Sequence, residues 1–413
     1  MNEAYILEWF SLLGRWVHMI TGIAWIGASF YFVWLDNHLQ APKLASDDER
    51  GVGGEIWSVH GGGFYHAQKY RVAPPELPST LHWFKWEAYT TWISGMFLLA
   101  LLYWYQAEIY LIDPATMPLS KPVAVLLGFA TVVVGWLAYD ALCKSKVGQN
   151  ESLMAGIMLL LLTMVAWGLC QLFSGRGAYM HFGAMLGSIM VANVFFVIMP
   201  GQRDLVAAKK EGRTPDPIHG IRAKQRSVHN TYFTLPVLFV MISNHYAMTY
   251  GHAWNWLILI AISVAGALIR VYFVQRHFGK PSLVPAIVAA ALLLTVITAI
   301  TPASRKTITA QSAGSTATTS DSTSQTVAFT DIEAIIKERC SSCHSSQPSN
   351  PGFAAAPKGI MFDNGAAILA QANVIHQQAV VTRAMPIGNL TGMTDEERAS
   401  LDNWFLGGAL ETR

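Results

Sequence analysis

The sequence predicts an all-α protein: eight membrane-crossing helices followed by a small, mostly helical polar domain. Three observations predict it. Long apolar runs fill residues 1–301, and the remainder is polar. Only 13% of the 413 residues are charged, against about 25% in an ordinary soluble domain. Trp and Tyr gather near the ends of several runs (Trp34, Trp83, Trp86, Tyr103, Trp104, Tyr105, Trp254 and Trp256), as in an aromatic belt at a membrane interface.

Roughly 20 apolar residues cross a hydrocarbon core, and a helix is the form in which each run satisfies its own backbone there. The expected spans are 6–35, 83–106, 121–141, 152–173, 179–200, 228–250, 253–276 and 282–301. The start, with Glu3 and Glu8, lacks a basic region, so the first run reads as a retained span and not as a cleaved leader. Loops 1, 3, 5 and 7 hold nearly all the Lys and Arg between spans, whereas loops 2, 4 and 6 offer little beyond Arg176. The positive-inside rule places the odd loops in the cytoplasm and both termini outside. The expected location is the bacterial cytoplasmic membrane, multi-pass, with the polar domain periplasmic and lipid as a constant partner. A net charge of +2 points to no nucleic-acid partner.

Loop 1 (36–82) carries two segments around Gly61–Gly63, Ile56–His60 and Phe64–Tyr70, which predict a β-hairpin. His66 and Gln68 fall on one face of its second strand, and Tyr65, Lys69 and Arg71 on the other. Aromatic, imidazole and cationic groups together suit a planar anion. An amphipathic hairpin resting on lipid headgroups is the alternative.

Residues 302–326, rich in Ser, Thr and Ala, predict a flexible tether. The domain after it, 327–413, opens with an amphipathic helix, "FTDIEAIIKERC", with Asp331 near its start. It closes with "MTDEERASLDNWFLGG", in which Thr394 is the N-cap, Glu397 completes a capping box, and Gly407–Gly408 follow. Between them stands C-x-x-C-H: Cys340, Cys343 and His344. This motif reads as covalent attachment of one haem c, with two thioethers and a proximal imidazole. Cys143 and Cys170 read as small core residues. The domain resembles class I cytochromes c, in which a Met-Pro segment supplies the sixth ligand. Met385 of "RAMPIGN" is the expected ligand, ahead of Met361, Met393 and His376.

Ionisable residues within spans are functional hypotheses by default. His18, His181 and His245 toward the outer side, and His229 and His277 toward the inner side, are candidate ligands for one or two b-type haems. Arg15 is the candidate partner for a propionate. His229 and His245 would lie about 24 Å apart on one helix. Simple hydrogen bonding at helix ends is the alternative for each histidine.

The segments "WVHMITGIAWIGASFYF", "GGEIWSVHGGGFYHAQKY", "PPELPSTLHWFKWEAY" and "SVHNTYFTLPVLFVMISNHY" resemble the membrane-bound urate oxidase family. Its members fuse a multi-span urate oxidase domain to a C-terminal cytochrome c, here 1–301 and 327–413. The resemblance implies oxidation of urate to 5-hydroxyisourate in purine catabolism. Electrons would pass to the haem c, then to a respiratory cytochrome c or terminal oxidase, without hydrogen peroxide. Under that reading His60, His66, His82, Glu55 and Glu87 are candidate bases. Lys69, Arg71 and Tyr65 are candidate urate contacts. A dehydrogenase for a quinol or another small molecule, and a plain membrane anchor for a cytochrome, are the rival readings.

Overall fold

The computed structural model describes residues 3–277, 282–301, 327–353 and 355–409. The tether expected at 302–326 lies outside them, as does the His277 side chain. The long helices are α1 (Glu3–His38), α2 (Trp86–Leu99, continued by a π-helical turn over Ala100–Trp104), α3 (Lys121–Lys144) and α4 (Glu151–Leu172). They are followed by α5 (Gly175–Asn193), a π-helical turn (Val194–Ile198) and α6 (Met199–Lys210). Next come α7 (Pro217–Ser243), α8 (Asn255–His277) and α9 (Val284–Ala299). Each expected span therefore coincides with a long helix.

Five of these runs are long and apolar enough to cross a membrane: Tyr5–His38, Lys121–Lys144, Glu151–Leu172, Gly175–Lys210 and Asn255–Arg276. The other three fall short for distinct reasons. Trp86–Trp104 is diluted by Trp, Tyr, Thr and Glu87. Pro217–Ser243 opens on a basic stretch holding Arg222, Lys224 and Arg226. Val284–Ala299 has only 16 residues.

The run Gly175–Lys210 is 67% buried over its apolar window, against 0–28% for the other four, so α5 is the centre of the bundle. Helices α3, α4 and α7 pack on it, α8 packs on α7 and α4, and α1 pairs with α2. Gly128 of α3 and Gly183 of α5 allow the close crossings: a Cβ there would come within 2.5 Å of His181 Nε2 and 2.4 Å of Val240 Cγ1. Small residues at helix crossings are how membrane bundles gain van der Waals contact. The apolar side chains left outside, such as Trp16, Ile23, Leu126, Leu160 and Ile287, suit lipid tails.

Helices α1 and α2 run antiparallel. Glu3 meets Tyr105 at one end, and Phe32 meets Phe84 edge to face at the other. The first end carries the even-numbered loops and the second the basic, odd-numbered ones. The hairpin sits at the second end, with β1 (Val52–His60) and β2 (Gly63–Tyr70) paired antiparallel. Its turn is Gly61–Gly62, with φ of 57° and 83°, a conformation glycine adopts without strain.

The C-terminal segment builds a second core of its own around Phe329, Ile332, Ile336, Leu401 and Trp404. It contains α10 (Phe329–Arg339) and α11 (Asp395–Leu406). Thr394 and Glu397 form the expected capping box. This domain packs on the even-loop end of the bundle: a Cβ at Gly251 would lie 2.2 Å from the Thr382 carbonyl oxygen, and one at Gly352 2.3 Å from Ile109.

Candidate functional site

A cavity of about 1450 Å³ lies between the C-terminal domain and the even-loop end of the bundle. Cys340, Cys343, His344 and Met385 all line it. His344 follows the end of α10, and its ring is fixed by a hydrogen bond from Nδ1 to the Ile360 carbonyl oxygen at 2.9 Å. A carbonyl only accepts, so Nδ1 carries the proton and Nε2 is left as a ligand. The Met385 segment is held by Arg398, which donates to the Met385 carbonyl oxygen at 2.9 Å and to Asn389 Oδ1 at 3.3 Å. Burial pushes the Cys340 thiol up to about 12 and also raises Cys343. Among the described residues no three His, Cys, Asp or Glu side chains form a metal cluster. The donor set fits a haem c: two thiols, one imidazole with a free Nε2 and one thioether around a single void.

The competing ligands are placed differently. Met361 is exposed and does not line the cavity. Met393 reaches the wall but is part of the domain core. His376 is paired with Asp402 at 2.9 Å and stacked on Phe405.

The bundle wall of the cavity is polar. Arg176, in the first turn of α5, donates from Nε to Tyr103 Oη at 3.1 Å and to Asn244 Oδ1 at 3.0 Å. Its guanidinium lies 4.8 Å from the Tyr110 ring centroid. Gly175 permits this: a Cβ there would be 2.0 Å from the Tyr250 carbonyl oxygen, so the 244–255 loop can close on the start of α5. His245 also lines the cavity. Burial raises the Tyr110 phenol, and the Arg176 guanidinium pulls it back.

The remaining spanning histidines are dispersed. His18 Nδ1 bonds the Thr91 carbonyl oxygen at 3.0 Å and Ser94 Oγ at 3.1 Å. His181 is fully buried with both nitrogens engaged: Nδ1 with the Gly177 carbonyl oxygen at 2.8 Å, and Nε2 accepting from Trp104 Nε1 at 3.1 Å. His229 Nδ1 meets Tyr139 Oη at 2.8 Å. Arg15 is exposed on α1 and bonds Ser11.

At the opposite end, the hairpin residues hold one another. Glu55 is buried, accepting from the Lys43 amide at 3.0 Å, from His66 Nε2 at 2.8 Å and from Gln68 at 3.4 Å. The Lys43 amide above all, then the Gln68 and His66 bonds, hold its carboxyl below the usual range against the opposing effect of burial. His66 stacks on Trp57 at 4.3 Å. Lys69 pairs with Asp36 at 2.8 Å and Arg71 with Asp48, all four side chains being largely exposed. Tyr65 and His60 are exposed, and Glu87 stands 3.9 Å from His82. This end is one length of α2 and its π turn from the large cavity, roughly 28 Å at 1.5 Å per residue.

A second cavity of about 490 Å³ opens there between α1, α5, α6 and α7, lined by Trp25, Phe32, His82, Gln202 and Asn230 among others. Behind Asn230 lies a buried network that sequence reading missed. Asn193 donates to Asn230 Oδ1 at 2.8 Å and to Tyr139 Oη at 3.1 Å. Arg226 donates to Asn193 Oδ1 at 3.1 Å and to Asp140 Oδ1 at 2.7 Å. The signal available was Asp140 within an apolar run, a costly position unless paired.

The helices and the cavity define a predominantly helical protein of membrane type, with a C-terminal domain closing one end of the bundle. It belongs to the family described as urate oxidase N-terminal, which matches residues 4–303 and leaves the C-terminal domain outside the match. This family points to a urate-oxidase-related oxidoreductase acting on urate. Comparison with curated proteins gave no match, and comparison with solved structures gave none.

Proposed function

We propose that the protein is a membrane-bound urate oxidase that delivers electrons to a haem c in its own C-terminal domain. The observation that carries this reading is the shared cavity: the four expected haem residues face Arg176, Asn244 and His245 of the family domain across one void. All eight long helices that match the expected spans serve as spans in this reading. The even loops and the C-terminal domain lie outside the cytoplasm. The packing of the domain on the end away from the basic loops supports that orientation.

The reaction balances without oxygen as a reactant. Urate and one water give 5-hydroxyisourate, two protons and two electrons. A bound haem c accepts one electron at a time, so two transfers complete each turnover, with a respiratory cytochrome c or terminal oxidase as the onward acceptor. The chain's own residues bind the urate anion, shield it from bulk water and take up protons; His245 and His252 are the family-domain imidazoles on the cavity wall.

An anaerobic visible difference spectrum of the purified protein tests the reading. Adding urate should bring up the c-type α-band. A second reading has one observation in its favour: the cavity between α1, α5, α6 and α7 is mostly apolar with a few polar groups, as a quinol headgroup requires. Haem reduction by a quinol but not by urate selects it.

A further inference from the structure

The guanidinium of Arg176 is held but not neutralised. Its Nε is spent on Tyr103 and Asn244, and among the described residues it pairs with no carboxylate. An arginine has five N–H donors, so the two terminal nitrogens are free to face the cavity that Arg176 lines. Three further features favour an anion there. Arg176 stands in the first turn of the 19-residue helix α5, whose free amides and dipole add positive potential. The Tyr110 ring beside it offers a face on which a planar molecule can stack. Asn244 fixes the guanidinium through its Oδ1, and its amide nitrogen, which gives one N–H to Met180 Sδ at 3.3 Å, has a second N–H for the same wall.

The cavity has space for more than a haem. Its volume of about 1450 Å³ exceeds the roughly 300–1,000 Å³ of ordinary ligand pockets. We propose that Arg176, Asn244 and Tyr110 form the urate site, holding the planar monoanion on the bundle wall, across the cavity from Cys340 and His344. This rests on the urate-oxidising reading above and deepens it. Electrons then pass directly between neighbours in one cavity, with no haem among the spanning histidines required.

The chemistry of the site also suits a haem propionate, and the experiment separates the two anions. Equilibrium dialysis of labelled urate against the detergent-solubilised full-length protein is compared for wild type, Arg176→Gln and Arg176→Lys, alongside redox titration of the haem c. Loss of charge-assisted hydrogen bonds should weaken urate binding roughly ten- to hundredfold in Arg176→Gln. Arg176→Lys should recover only part of it, because the planar fork is lost. The haem potential should not move. Unchanged urate affinity with a shifted potential assigns Arg176 to a propionate and overturns the proposal, as does no change in either. Should Arg176→Gln fail to fold, Tyr110→Leu gives the same reading through stacking: weaker urate binding supports the site and unchanged binding overturns it. If the wild type neither binds urate nor is reduced by it, the urate-oxidising reading itself falls, and this site with it.

Discussion

The His344 imidazole and the Ile360 carbonyl oxygen are 2.9 Å apart, joined by a hydrogen bond from Nδ1. That contact leaves Nε2 as the ring nitrogen that would ligate a bound haem iron. Met385 lines the large cavity while Met361 does not. Met ligation raises the potential of a c-type haem. Replacing Met385 with Ala should therefore lower the midpoint potential and change the visible spectrum, whereas His376→Ala should leave both intact. Redox titration with parallel spectra checks this, and an unaltered Met385→Ala spectrum would exclude Met385 as the ligand.

The Glu55 carboxyl gives the hairpin a one-sided pH dependence. Its folded-state value is depressed, chiefly by the Lys43 amide. A depressed carboxylate stabilises the fold above its unfolded value, near 4.3, and loses that contribution as pH falls through the folded value. The hairpin's amide protection, relative to the intrinsic exchange rate at each pH, should stay flat from neutral pH to about 5 and fall below about 4.3. In Glu55→Gln the acid-side loss of protection should vanish, at the cost of lower protection at neutral pH. Mass-spectrometric exchange over that range is the measurement.

Gly128 is a packing requirement of the His181 site. A Cβ there would sit 2.5 Å from His181 Nε2 and 3.1 Å from Trp104 Nε1. Gly128→Ala must push the imidazole off its indole donor, and overpacking of this kind costs about 1–3 kcal/mol. A lower midpoint in thermal unfolding is expected. His181→Gln should retain any b-type absorbance the wild type shows, because both ring nitrogens already have protein partners.

Local chemistry was legible in the sequence and convergence was not. Thr394 and Glu397 lie three residues apart, so their capping box could be read directly. Gly61–Gly62 between alternating residues gave the hairpin turn, since few other residues adopt those φ values. The long helices followed from apolar runs alone. Arg176 and Asn244 are 68 residues apart, and only the packing of α5 against α7 brings them together. The pairing of Lys69 with Asp36 and of Arg71 with Asp48 was not legible either, because the partners are distant in sequence although adjacent in space. The apolar runs also hid which polar residues point inward: Asn193 is fully buried, a fact no one-dimensional pattern in "GSIMVANVFF" reveals.

Asp140 and Arg226 provide the sharpest test of that buried network. Arg226 is almost wholly buried, and Asp140 Oδ1 accepts from it at 2.7 Å. Asp140 also pairs with the exposed Lys144 at 2.6 Å, and Asn193 is the second partner of Arg226. Asp140→Asn keeps the side-chain shape but removes the counter-charge, stranding a cation among apolar helices. Removing one partner of a buried pair costs about 3–5 kcal/mol; Asp140 lies at the edge, so about 3 kcal/mol is expected. Arg226→Met should cost less, because Lys144 remains to balance Asp140. The double variant should be more stable than the sum of the single losses predicts, since neither charge is then left alone. A double-mutant cycle of thermal unfolding in one detergent measures this coupling. Additive losses would mean that the two side chains do not act as a pair.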